Sequence, residues 1–344
     1  MRALIWWSLL LVPVDIGADV AGVSGFWLFM LSAAALVPLA YVIGEATEQA
    51  GEHTGPAIAG LLNASFGNAP ELIISLFAVD RGLFQFVRGS LVGSVVSNLL
   101  LVLGATIVVG RRGTLNRSSG LASLAQTTFA TVLFLIPAFA YGWRSGTTRF
   151  LPVATLPIAG VLLVVYVFIT VRETLRHSRA HRASRGELPV DADWSLRRAL
   201  LMLAGAAAAT AFVSEVLTGS VEQFSRTVGL DDFFVAAVIV ALVGNAAEHG
   251  GALVIASRGK LDLASEIAFS SSAQVATFVI PFVVLVSLVL RPLPLAFRPF
   301  ELAALAVAIT VPGIAVIRGR VGRVEGAVLV AAYAAVAAGF YVVS

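Results

Sequence analysis

Two short stretches decide how this chain reads: FGNAPELIISLF, from Phe66 to Phe77, and VGNAAEHGGALV, from Val243 to Val254. Each sets an asparagine and a glutamate three residues apart in a run otherwise fit for lipid. A carboxylate at such depth costs about 3 kcal/mol on insertion scales, and is kept where it meets a partner or water. The surroundings are lipid-like throughout. The chain has 344 residues, of which 58% are hydrophobic and only 12% charged, and its mean hydropathy is +0.93. Apolar runs of about 20 residues, the span of a bilayer core, recur along its length. The fold class is an all-α polytopic membrane protein. The absence of cysteine excludes disulfides, thiolate metal sites and cysteine nucleophiles. The arginines sit in loops, no basic patch interleaves with aromatics, and a nucleic-acid partner is excluded.

Hydropathy predicts eleven transmembrane helices, at 3–22, 25–47, 55–79, 84–109, 119–141, 149–171, 196–218, 231–257, 262–290, 299–317 and 323–343. The first opens with Arg2 and holds Trp6 and Trp7. No small-x-small cleavage site follows it, so a retained helix is expected rather than a signal peptide. With this count, 16 of the basic residues fall on the side of the N-terminus and 7, among them Arg81, Arg88 and Arg291, on the other. The positive-inside rule then puts the N-terminus in the cytoplasm and the C-terminus outside. The expected location is the cytoplasmic membrane of a prokaryote. The longest connection, 173–194, reads as a polar, basic cytoplasmic loop touching anionic headgroups. His53, His177 and His181 read as loop residues.

That loop divides the chain into halves that repeat. GNAPE (67–71) matches GNAAE (244–248), and GSVVS (93–97) matches SSSAQ (270–274). In both halves the central serine, Ser94 or Ser271, follows the glycine, Gly67 or Gly244, by 27 residues. Upstream, GEATEQAGE (44–52) faces SEVLTGSVE (214–222). The two motif helices, the third and the eighth spans, are an odd step of five apart and so cross in opposite senses, the inverted repeat of many secondary transporters, whose site lies near the midplane. The organisation predicted is a first helix (1–24), a first repeat (25–172), the loop (173–194) and a second repeat (195–344).

Two carboxylates meeting on the pseudo-twofold axis repel each other and take up protons when no cation lies between them. A divalent cation between them keeps both ionised. Glu71 and Glu248 are therefore read as a switch between protons and one hard cation. Asn68 and Asn245 lie on the same helix face, one turn earlier, with amide oxygens suited to Ca²⁺. Gly67, Pro70 and Gly244 lie where a helix can open its carbonyls. Ser94, Ser271 and Gln274 add oxygens from partner helices. The set is nearly all oxygen and fits Ca²⁺ better than zinc or copper. A candidate ion path adds Glu45, Glu48, Glu52, Glu215, Glu222, Ser97, Asn98 and His249. For the five glutamates interfacial solvation explains the positions as well. For His249, pointing off the Glu248 face, packing or hydrogen bonding is the plainer role.

These motifs, GNAPELIISLFA and GNAAEHGGALVIASRGKLDLASEIAFSSSAQVATFVIP with GEATE upstream, resemble the Ca²⁺/H⁺ exchangers, also called cation/proton exchangers, of the Ca²⁺/cation antiporter superfamily. The resemblance covers about Leu39 to Pro281. It implies one helix outside the repeat followed by five and five, with Glu71 and Glu248 binding Ca²⁺ and protons in alternation. Three positions depart from the pattern. Ser270 stands where the family has glycine, the central loop is basic rather than acidic, and Val275 matches Asn98 where related Na⁺/Ca²⁺ exchangers carry an acidic or amide residue.

The expected function is a secondary active antiporter that exports Ca²⁺ in exchange for protons by alternating access. Ca²⁺ and H⁺ are its transported partners, the bilayer is its surroundings, and a homo-oligomer is left open. It is not an enzyme and carries no cofactor. No P-loop is present to drive primary pumping. A Na⁺-coupled or broader divalent exchanger, for Mn²⁺ for instance, and a cation channel stand as alternatives.

Overall fold

The computed structural model describes residues 6–143, 151–183, 193–294 and 296–343. Among them the architecture is helical: α1 (Leu11–Val20), α2 (Gly25–Phe66), α3 (Ala69–Asp80), α4 (Phe84–Gly110), α5 (Arg117–Trp143), α6 (Leu151–Ala183), α7 (Leu196–Val228), α8 (Asp232–Gly244), α9 (Ala246–Ser257), α10 (Leu261–Ser287), α11 (Pro299–Arg318) and α12 (Arg323–Val343). Two three-residue strands, β1 (Arg112–Thr114) and β2 (Arg320–Gly322), pair antiparallel with Gly113 opposite Val321. Local chemistry fixes the ends. Ser195 caps α7 by accepting from the Arg198 amide, and Gly229 closes it in the left-handed conformation. Asp231 caps α8 through the Phe233 amide. Pro299 opens α11, where a missing N–H costs nothing.

Among the described residues eight helices are long and apolar enough to cross a membrane, and the bent pair α8–α9, with 58° between its arms, makes a ninth if it counts as one span. Eleven full-length spans were expected, and two fall short. In the first, the described helix α1 has 10 residues. The third, expected as 55–79, is not continuous. Helix runs to Phe66, breaks at Gly67 and Asn68, and resumes as α3 with 12 residues. That is roughly 18 Å of helix, less than a bilayer core. The chain also turns back within α2. A Cβ built on Gly51 would lie 3.1 Å from that of Ala59, whereas eight residues of straight helix span about 12 Å.

Three other expectations change. The segment expected as a loop from Glu173 begins as helix, since α6 continues through Ala183 and carries His177 and His181; residues 184–192 lie outside those described. His53 is helical too, and its Nε2 sits 2.6 Å from the Trp194 carbonyl. The Trp194 amide donates to Gln49 Oε1, so the start of α7 is tied to α2. Arg88, counted among the rim charges, is buried in α4 and pairs with Glu301 on α11, Nε to Oε1 3.4 Å.

Helix α4 crosses the molecule from one rim to the other. At its start Arg81 and Gly82 lie beside Gly219 and Arg291. At its end Gly110 and Gly113 lie against Leu261. Helix α3 therefore ends at one rim and α9, which leads into Leu261, at the opposite one. Every residue of α4 from Phe86 to Val96 is buried. Its backbone rests directly on α8: a Cβ on Gly93 would land on the Ala237 carbonyl, and one on Gly89 would meet the Phe233 carbonyl. Small residues four apart let two membrane helices close to this distance. Gly93→Val should therefore destabilise the protein by about 1–3 kcal/mol, the usual cost of overpacking. Gly160→Val, at a position where a Cβ meets nothing, should not. Thermal melts of the purified variants in detergent check the difference; equal melting temperatures would contradict the α4–α8 contact.

Candidate functional site

The two broken helices bring their breaks together. At the first, Asn68 leaves the helical conformation (φ −105°, ψ 24°), and α3 starts with Pro70 and Glu71 in its first turn. At the second, Asn245 does the same (φ −87°, ψ 8°), and α9 starts with Glu248 in its first turn. A helix N-terminus carries unsatisfied N–H groups and the positive end of its dipole. Each glutamate thus sits where the backbone field favours negative charge.

The placement is reciprocal. Glu71 Oε1 lies against Gly244, 3.2 Å from where a Cβ there would be, and Glu248 Oε1 lies against Gly67, 3.6 Å from the equivalent point. Each carboxylate therefore faces the break of the opposite half, and a side chain on Gly244 would crowd it out. Both glutamates keep one oxygen, Oε2, buried without a hydrogen-bond partner. Neither has an ion-pair partner among the described residues. A buried carboxylate oxygen left in this way costs free energy until a proton or a cation reaches it.

A chain of amides and hydroxyls surrounds the pair and crosses between halves. Asn68 Nδ2 donates to Gln274 Oε1 (2.7 Å), and Asn68 Oδ1 accepts from Ser271 Oγ (3.5 Å). Asn98 Nδ2 donates to Ser271 Oγ (3.0 Å) and to Asn245 Oδ1 (3.3 Å). Asn245 Nδ2 donates to Ser94 Oγ (3.0 Å) and to the Ala241 carbonyl (2.8 Å). With its nitrogen donating, Asn98 presents Oδ1 to His249 Nε2 at 3.0 Å. Among the described residues no three His, Asp or Glu side chains form a metal cluster. The centre instead offers two carboxylates and a ring of neutral oxygens.

Of the residues singled out in the sequence, Glu71, Glu248, Gly67, Gly244, Asn68, Asn245, Ser94, Ser271, Gln274 and Asn98 meet here. His249 joins through Asn98. Ser97 does not join the chain: its hydroxyl turns back to the Ser94 carbonyl of its own helix. The outer glutamates lie away from the centre. Glu48, Glu52, Glu215 and Glu222 are exposed, Glu222 pairs with Arg226, and half-buried Glu45 accepts from Tyr41. Ser270 is exposed and bonds its own helix. Two features were not read from sequence. One is a π-helical turn at matching places in both halves, Ser97–Val102, which holds Asn98, and Val275–Val279, directly after Gln274. Such turns recur at functional sites, but no residue pattern marks them. The other is the asymmetry of the ring. The polar pair formed by Asn98 of the first half and His249 of the second corresponds to Val275 of the second half and Leu72 of the first.

The chain has relatives along nearly its whole length. A family model described as sodium/calcium exchanger protein matches residues 24–175 and 198–342, one block for each half. The Ca²⁺/H⁺ antiporter ChaA of Bacillus subtilis is 35% identical over 346 residues, 96% of this chain and 98% of that protein. The vacuolar calcium ion transporter of Schizosaccharomyces pombe is 35% identical over 352 residues, 98% of this chain and 84% of that protein. The solved structure of native YfkE superimposes with a TM-score of 0.85 at 32% identity, covering 98% of this chain and 100% of that one. The chain belongs to the Ca²⁺/H⁺ antiporter family, within the sodium/calcium exchanger superfamily.

Proposed function

We propose that Glu71 and Glu248 form one shared site that takes Ca²⁺ or protons in turn, and that the protein moves Ca²⁺ out of the cytoplasm against an inward flow of protons. The observation that carries this reading is the reciprocal seating of the two carboxylates, each with a buried oxygen that no protein group satisfies. Ca²⁺ between them would be neutralised by both charges. Asn68, Asn245, Ser94, Ser271 and Gln274, with carbonyls opened at Gly67 and Gly244, would complete an oxygen shell of the kind Ca²⁺ takes. With no cation present, protons remove the repulsion and the desolvation cost of two charges. Alternating access then requires that the site be reached from one side at a time. Na⁺ coupling is disfavoured by the buried apolar Val275 at the counterpart of Asn98.

We further propose eleven crossings, with α1 and the broken segment from the turn in α2 through α3 supplying the two that length alone does not count. They divide as one helix outside the repeat and two inverted five-helix repeats, 25–172 and 195–344. The rim that carries β1 and β2 holds most of the arginines and is assigned to the cytoplasm by the positive-inside rule. The half-buried Glu45 and the exposed Glu48 and Glu52 on that side, and the exposed Glu215 and Glu222 on the other, would draw cations towards each entrance.

In everted vesicles an acid interior should drive Ca²⁺ uptake, and Glu71→Gln or Glu248→Gln should abolish it without loss of folded protein. Glutamine keeps the shape but cannot ionise, so Ca²⁺ loses half its countercharge in a poorly solvated place. Asn68→Ala removes one neutral ligand and should only weaken apparent Ca²⁺ affinity, by about tenfold for an interaction near 1.4 kcal/mol. Uptake that survives either glutamine substitution would overturn the shared site. Topology is checked separately: a tag after Ser344 should be reached from outside and one at Ser184 from the cytoplasm. Tags reporting the same side would contradict the eleven crossings.

A further inference from the structure

The offset of 177 residues that carries Glu71 onto Glu248 also carries Arg81 onto Arg258 and Gly82 onto Gly259. Both glycines adopt the left-handed conformation, φ +74° and +81°, so the two broken helices end in the same turn at opposite rims. Their arginines behave differently. Arg81 reaches across to α7, where Nη2 donates to the Glu215 carbonyl at 3.2 Å. Its guanidinium lies over Gly219, 3.2–3.4 Å from where a Cβ would stand. Arg258 is exposed, and its side chain makes no hydrogen bond or ion pair among the described residues.

The packing around the two helices differs in the same sense. On α3, Ala69, Pro70 and Glu71 are buried; on α9 their counterparts Ala246, Ala247 and Glu248 are half-buried, and Gly250 and Gly251 are exposed. Helix α3 packs on α7. Three buried hydroxyls on this pair, Ser75 on α3 and Thr210 and Ser214 on α7, have no hydrogen-bond partner. All three hydroxyl oxygens are closed to bulk solvent in this state. Ser75 lies one helical turn beyond Glu71, on the way to Arg81.

We propose that Arg81 and Arg258 are paired latches of the transport cycle, and that this structure is the state in which the outer latch is shut and the inner one released. This rests on alternating access as proposed above. In the opposite state Arg81 leaves the Glu215 carbonyl, water reaches Ser75, Thr210 and Ser214, and Arg258 docks on the matching stretch of α2. There Glu45 corresponds to Glu215 and Gln49 to Gly219. Gln49 leaves no bare backbone for a guanidinium to lie on, but Glu45, Glu48 and Glu52 line that stretch, so the inner latch closes on carboxylates rather than on a carbonyl. The two latches thus differ in kind: the outer one depends on a missing side chain, the inner one on charge, which salt screens.

The native chain has no cysteine, so a single thiol reports cleanly. Ser75→Cys, reconstituted as the full chain, is treated from the Arg81 side with a membrane-impermeant thiol reagent. With both arginines present the thiol should react slowly. Arg81→Gln should raise the rate about fivefold, the effect of losing one modest hydrogen bond on a two-state balance. Gly219→Val, which displaces the guanidinium and leaves its charge, should do the same, and Arg81→Lys should restore much of the protection. Arg258→Gln should lower the rate, since it weakens the state in which the outer path is open. If Arg81→Gln and Gly219→Val leave the rate unchanged, or if Arg258→Gln raises it, the latch assignment is wrong. Ca²⁺/H⁺ exchange measured on the same vesicles tests the transport proposal independently: exchange that survives Glu71→Gln would sink that proposal, whichever way the thiol reacts.

Discussion

Two carboxylates, each set against the helix break of the opposite half-chain and each with one oxygen that no protein group satisfies, set the terms for the rest of this molecule. Such an arrangement is unstable by itself. It demands a backbone open enough to bring two helix N-termini to one point, glycines at the breaks so that each carboxylate can press against the other half, and a rigid frame that keeps the pair from drifting apart. The helix breaks at Asn68 and Asn245, the bare faces of Gly67 and Gly244, and the backbone contact of α4 with α8 through Gly89 and Gly93 answer those demands in turn. The amide and hydroxyl ring then fixes the oxygens around the pair without adding charge.

A second buried charged group shows what an acid with a structural role looks like. Glu301 is fully buried, yet its Oε1 meets Arg88 and its Oε2 accepts from the Arg298 amide at the start of α11. Every demand of that carboxylate is met within the protein. A pair satisfied in this way holds helices together, and breaking it by removing one partner is costly. Glu71 and Glu248 differ from it in leaving their demand open, which is what a carrier of ions needs.

The repeat makes the centre legible in the sequence. Two GNxxE motifs at matched offsets from Ser94 and Ser271 identified both halves, and the buried glutamates identified the chemistry. Ten of the singled-out residues do converge. What sequence did not reveal has physical reasons. Hydropathy sees apolar runs, so it read 55–79 as one span and could not place the break at Gly67–Asn68 or the turn back near Gly51. It placed Arg88 on a rim because an arginine in lipid is improbable unless a partner is known, and Glu301 lies more than two hundred residues away. Charge alone made 173–194 a loop, although helix persists to Ala183. The π-turns after Ser94 and Ser271 depend on how helices fit together and leave no compositional trace.

The central claim is that one site exchanges protons for Ca²⁺, and proton release on Ca²⁺ binding tests it most directly. Ca²⁺ added to the purified protein in weakly buffered solution should acidify the medium in proportion to the Ca²⁺ bound. Glu71→Gln and Glu248→Gln should each reduce the release, and the double substitution should abolish it. Ca²⁺ that binds the native protein without liberating protons would contradict the account.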